Sequence, residues 1–146
     1  MVLADVNVLV YAHRKDAPRH HDYLRWLDDV LHSDAAFGTS DLVLSGFLRI
    51  VTHPRSFRDP TPLDRALDFA VAVRDHPHAI AVVPGERHWD IFQRLCHEAH
   101  AKGNLIADAY LAALAIEAGV EWVTTDRDYA RFPGLRWRHP LDAVAG

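Results

Sequence analysis

The sequence predicts an α/β domain: a central, mainly parallel β-sheet with helices on both faces. The main observation is alternation, since short apolar runs of strand length are separated by longer stretches with helical periodicity. The second is size. A chain of 146 residues makes one compact domain with a sizeable core, and no repeat, low-complexity tract or Gly/Ser linker divides it. Residues 1–146 therefore read as a single domain. Composition agrees: 49% hydrophobic and 25% charged residues exclude disorder as a description of the chain.

The elements follow in order. Val2-Leu3-Ala4-Asp5-Val6-Asn7 reads as a short buried strand ending in polar residues, and Val8 to His13 turns into a helix. Between Pro18 and His32, the positions Tyr23, Leu24, Trp26, Leu27, Val30 and Leu31 form a helical stripe. Ala35 to Thr39 is a short strand, after which Ser40 or Asp41 caps a helix through Leu42, Phe47, Leu48 and Val51. The Pro-rich stretch from His53 to Pro62 is a surface connection leading into a helix over Pro62–Arg74. Ala79 to Val83, between Pro77 and Pro84, is a buried strand. A helix over Glu86–Ala101 is stopped by Gly103, and an Ala-rich helix over Ile106–Ala118 is closed by Gly119. Val120 to Thr124 is a strand, followed by a helical piece near Asp126–Phe132 and a weak strand at Leu135–Trp137.

Composition narrows the function classes. Twenty acidic residues against 16 basic ones give a formal net charge of −4, which excludes a generally basic nucleic-acid binder but permits a local carboxylate site. A single cysteine, Cys96, excludes an intrachain disulfide and gives no reason to invoke an oxidising compartment. The longest stretch without Asp, Glu, Lys or Arg, His76–Gly85, is far shorter than the roughly 20 apolar residues of a membrane helix. With no secretory n-region or h-region at the start, a soluble cytoplasmic protein with no membrane partner is expected.

Ligands of parallel sheets sit beyond the carboxyl ends of the strands, so the acids there matter most. Asp5 ends the first strand and Asp126 lies just past the strand ending at Thr124. Asp108 is placed in the first turn of the Ala-rich helix, among Ile106, Ala107, Ala109 and Leu111. Singly, each suits a cap or a turn. Together they converge on one sheet edge, where like charges repel and a hard divalent cation, Mg²⁺ or Mn²⁺, would hold them through oxygen. Such a cation lowers the pKa of bound water and stabilises charge on phosphate, so phosphodiester hydrolysis is the expected chemistry.

Three blocks carry a family resemblance: Leu3-Ala-Asp-Val-Asn-Val-Leu-Val, Gly103-Asn-Leu-Ile-Ala-Asp-Ala-Tyr-Leu-Ala-Ala-Leu-Ala and Val123-Thr-Thr-Asp-Arg-Asp-Tyr-Ala-Arg-Phe. In this order and rough spacing, across nearly the whole chain, they resemble PIN-domain ribonucleases, specifically the VapC toxins of bacterial toxin–antitoxin pairs. The resemblance implies a Mg²⁺-dependent endoribonuclease that inhibits growth. Asp5 and Asp108 would hold the metal, and Asp126 would bind a second metal or position the attacking water. Asn7 and Thr124 would orient these acids. The resemblance further implies a homodimer held inactive by a VapB-type antitoxin.

One position departs from the pattern. The family carries a glutamate three residues before an arginine, and Leu44-Ser-Gly-Phe-Leu-Arg49 puts Gly46 there. Either water or Asp128 fills the vacancy, or the protein is a catalytically weakened metal- and RNA-binding module. A phosphoryl-transfer enzyme with Asp5 as nucleophile is a further alternative, disfavoured because Asn7 stands where a second aspartate is expected. Zinc on Cys96, His97 and His100 is disfavoured by the lack of a second Cys/His pair. All basic residues but Lys15 and Lys102 are arginines, suited to phosphate. Arg49 and Arg127, from the groups Arg49/Arg55/Arg58 and Arg127/Arg131/Arg136/Arg138, are candidate RNA contacts. The Trp26, Leu27, Val30, Leu31 stripe is a candidate dimer or antitoxin contact.

Overall fold

The computed structural model describes residues 1–143. Its centre is a five-stranded sheet, all parallel, in the order β3-β2-β1-β4-β5. The strands are β1 Val2–Ala4, β2 Phe37–Thr39, β3 Ala79–Ala81, β4 Glu121–Val123 and β5 Trp137–Arg138. Six α-helices connect them: α1 Val6–His13, α2 His20–His32, α3 Asp41–Val51, α4 Leu63–Arg74, α5 His88–Glu98 and α6 Asn104–Ala118. A 3₁₀ turn spans Arg127–Arg131. Successive strand residues face opposite sides of a sheet. Trp122 and Val123 are both fully buried, so both faces are covered at β4, as the α/β reading expects.

Three elements differ from the sequence reading. The first strand stops at Ala4, because the extended Asp5 accepts the Val6 N–H and starts α1 as its N-cap, which moves Val6 and Asn7 onto the helix. The segment at Ala79 is not buried: β3 is the edge strand, with Ile80 48% exposed. The helix before Gly103 ends early, at Glu98, since His100 has φ +49 and leaves the helical path. Gly103, at φ +59, then precedes α6 rather than ending α5.

Two further connections fix helix starts. Ser40 caps α3 through the Val43 N–H. Glu117 near the end of α6 reaches across to accept the backbone N–H groups of Gly85 and Arg87, which fixes the start of α5. The buried face of α6 is Ala109, Ala112, Ala113, Leu114 and Ala115, and such small side chains let the helix lie close to its neighbours.

Candidate metal and nuclease centre

β1 and β4 are neighbours with Ala4 opposite Val123, so the chain leaves both strands side by side. The next residues are Asp5 and Thr124. The Asp5 N–H donates to the Val123 carbonyl at 2.8 Å, and the fully buried Thr124 hydroxyl donates to Asp5 Oδ2 at 2.7 Å. Asp5 Oδ1 accepts the Val6 N–H at 2.7 Å. Both carboxylate oxygens are thereby fixed on the edge where parallel-sheet ligands sit. Thr124 Oγ1 also accepts the Asp126 N–H at 3.0 Å, and Asp126 Oδ1 accepts the Asp128 N–H at 2.9 Å, capping the 3₁₀ turn.

That turn delivers a residue to which sequence reading assigned no role. Tyr129 is 2% exposed, packs on Trp122 and Phe132, and donates its hydroxyl to Asp108 Oδ1 at 3.3 Å. It thus links the β4 edge to α6. Within the third quoted block, a buried aromatic with a polar tip needs a partner, and this was the available signal. Asp108 is the fifth residue of α6, past the first turn, and Ile106 and Ala107 beside it are exposed.

The electrostatics show three acids near one another. Burial pushes the Asp5 carboxyl up from its ordinary 3.8 to about 6 against the opposing hydrogen bonds of Thr124 and Val6, with the Asp108 and Asp126 charges adding to the rise. Burial also raises Asp108, as do the Asp126 and Asp128 charges, while the Tyr129 hydroxyl opposes them. The Tyr129 phenol is itself driven far up, by burial and then by Asp5 and Asp108, so it stays protonated and remains a donor.

The donor set suits a hard divalent cation. All candidate ligands are carboxylate oxygens, and a cation would relieve the repulsion and desolvation just described. Among the described residues no three His, Cys, Asp or Glu side chains are gathered closely enough to hold a metal by themselves. His100, one of the three residues of the zinc alternative, lies outside the helix that carries Cys96.

The other expected residues stand further from the acids' hydrogen-bond network. Asn7 lies on α1, and the hydrogen bonds that hold Asp5 and Asp108 come from Thr124, Val6 and Tyr129. Asp128 is exposed, and its backbone N–H rather than its carboxylate binds Asp126. Arg49 is exposed on α3, and Arg127 pairs with Asp142 at 3.2 Å. Gly46 faces α1: a Cβ there would lie 2.9 Å from Val6 Cγ2. The Val6 isopropyl group crowds the space where a side chain at 46 would begin.

Residues 2–135 match the family model described as the PIN domain. The chain belongs to the PIN-domain family. Ribonuclease VapC43 of Mycobacterium tuberculosis is 48% identical over 142 residues, covering 97% of each protein. Ribonuclease VapC25 of the same organism is 44% identical over 140 residues, covering 96% of this chain and 99% of that protein. Among solved structures, VapBC2 from Rickettsia felis, bound to a DNA fragment from its promoter, matches with a TM-score of 0.69 at 18% identity, over 95% of this chain and 98% of that one. VapC20 of M. tuberculosis, a Sarcin-Ricin loop cleaving toxin, gives 0.65 at 18% identity, over 93% and 99% of the two chains. These structures share the PIN fold with this chain. The VapC relatives favour a nuclease over the weakened-module alternative, and VapC-type PIN ribonucleases depend on a divalent metal.

Proposed function

We propose that this VapC-type PIN protein is an endoribonuclease toxin whose centre is Asp5, Asp108 and Asp126, with Mg²⁺ as its metal and Mn²⁺ able to replace it. The observation carrying this reading is the buried Asp5 carboxylate, oriented by Thr124 and Val6 and surrounded by further acids at one sheet edge. Asp5 and Asp108 would hold the cation. When bound, it supplies Lewis acidity at the phosphate and an electrostatic partner for the developing charge. Thr124 fixes the Asp5 carboxylate, and Tyr129 holds Asp108 through a proton it does not release. Asp126, anchored through Oδ1, directs the attacking water, whose oxygen bonds to phosphorus as the bond to the ribose oxygen breaks.

The partners follow from the family: RNA as substrate, a VapB-type antitoxin, and a second copy of the chain. The whole of residues 1–146 acts as one unit in the cytoplasm. Among the described residues no helix is long and apolar enough to cross a membrane. On α2 the candidate contact stripe is partly taken up by the fold, since Leu27 is in the core while Trp26, Val30 and Leu31 stay part-exposed. A second apolar run is exposed along α4, at Leu63, Leu67 and Val71.

The test is cleavage of a mixed cellular RNA pool by antitoxin-free protein, in Mg²⁺, in Mn²⁺ and in chelator, beside Asp5→Asn and Asp108→Asn. Metal-dependent cuts at discrete sites, absent in both variants, are expected. Equal cutting by the variants would overturn the assignment of these acids.

A further inference from the structure

A second polar site lies at the opposite end of α1 from Asp5. The last turn of α1 and the loop joining α3 to α4 border an open cavity of about 340 Å³ whose lining includes His13, Arg14, Lys15, Asp16, Asp59, Thr61 and Arg65. Its polar lining is held by a linked set of contacts. Arg14 stacks over Phe57 at 4.1 Å and donates to the Asp59 carbonyl at 2.7 Å and to the buried Thr61 hydroxyl at 3.2 Å. His13 Nε2 lies 3.1 Å from the same hydroxyl. Two hydrogen bonds from Arg14 to Asp16, at 2.9 and 2.6 Å, offset those two charges against each other.

What remains is cationic. Lys15 and Arg65 form no ion pair among the described residues and face a single unpaired acid, Asp59. Arg55 and Arg58 are exposed on the same loop. The local field is positive enough that Arg14 and Arg65 help burial push His13 below its ordinary value. Arginine and lysine around a roomy polar cavity suit phosphate oxygens.

The distance to the acids is set by α1. Eight helical residues at about 1.5 Å each separate the Asp5 cap from His13, a span of about 12 Å, or a few nucleotides. We propose that this cavity is a phosphate subsite for the RNA strand, with Lys15 and Arg65 binding a backbone phosphate a few nucleotides from the scissile one. The subsite rests on the ribonuclease reading and adds a second point of grip, which fixes strand direction and register.

The test uses the full chain carrying Asp108→Asn in chelator, with a labelled single-stranded RNA long enough to follow α1 and a dinucleotide, with a single linking phosphate, that is not. Lys15→Gln with Arg65→Gln, both at exposed positions, is expected to weaken the long RNA about tenfold and leave the dinucleotide unchanged. The log–log salt slope should become shallower by about 0.7 for each phosphate that the variant no longer neutralises. Asp59→Asn, which removes the opposing charge, should strengthen binding of the long RNA. An unchanged salt slope, or equal weakening for long and short RNA, overturns the subsite. Cleavage by the wild-type protein is scored separately, so a failed subsite and a failed ribonuclease assignment give different results.

Discussion

Asp5→Asn should make the metal-free protein more stable while abolishing cleavage, and the stability gain should depend on pH. Asp5 is 6% exposed, and burial holds its carboxyl near 6 instead of 3.8. The fold therefore binds this proton more tightly than the unfolded chain does. That contribution is fully present below about pH 4 and is lost as pH rises through 6. A displacement of this size costs about 3 kcal/mol once the group is ionised on both sides of the equilibrium. Asparagine avoids the ionisation and keeps a carbonyl oxygen for the Val6 N–H, but it gives up two hydrogen bonds to a charged acceptor. Allowing about 1 kcal/mol for that loss leaves a net gain of about 2 kcal/mol. For a chain of this size the melting temperature should rise by roughly 4–8 °C above pH 7.

The assay is thermal unfolding of both proteins in chelator across pH 4.5 to 8, repeated with Mg²⁺. Near pH 4.5 the ionisation cost is only about 1 kcal/mol, so the melting temperatures should nearly coincide and then separate through pH 6. Mg²⁺ should stabilise the wild type more than the variant and narrow the gap. A variant no more stable than wild type at pH 8, or a gap that does not change with pH, would refute the claim that Asp5 is held at an energetic cost for the sake of a cation.

Three further perturbations test the surrounding structure. Tyr129→Phe keeps the ring against Trp122 and Phe132 but removes the Asp108 hydrogen bond, so stability should fall by about 1 kcal/mol or less. The Mg²⁺ concentration for half-maximal cleavage, and the Mn²⁺ dissociation constant measured by titration, should both rise; an unchanged metal requirement would remove Tyr129 from the centre. Gly46→Glu should destabilise by about 1–3 kcal/mol in thermal melts because its Cβ meets Val6 Cγ2 at 2.9 Å, and Val6→Ala in the same chain should recover most of that. No recovery would mean that the cost is not steric. Glu117→Ala leaves the Gly85 and Arg87 N–H groups without their acceptor and should cost about 1 kcal/mol by thermal or denaturant melts. Those hydrogen bonds hold the Glu117 carboxyl below its ordinary 4.5, so its support is present above that value and is lost as pH falls through the lower folded value. Wild type and variant should therefore converge in acid.

The sequence reveals the fold class because apolar periodicity is a local property. Five strands, six helices and the caps at Ser40 and Gly119 follow from runs a few residues long. The acids were legible for a related reason, since a residue just past a strand of a parallel sheet lies on the ligand edge whatever the loops do. The misread positions depend on partners distant in sequence. Ile80 is exposed on β3, which has a neighbour on one side only, and a run of five apolar residues looks the same at an edge as at the centre. Asp5 could close a strand or open a helix, and the hydrogen bond to Val6 decides between them.

The same distinction applies to two residues whose surroundings pattern alone does not show. Gly46 stands where the family pattern carries an acid. Beside α1 it is a point of close approach, where a branched side chain at position 6 and the absence of one at 46 let two helices meet. Tyr129 looks like an ordinary aromatic in a turn, and its role appears only when the turn is placed against α6, 21 residues away in sequence, where its hydroxyl meets Asp108. A hydrogen bond from a buried phenol to a half-buried carboxylate has little value to the fold by itself, since two apolar groups would pack there at no desolvation cost. Its value lies in holding a second acid in place near the first. The residues that stabilise this fold were read from their own neighbours in sequence; those that prepare the site required the sheet register and the helix packing.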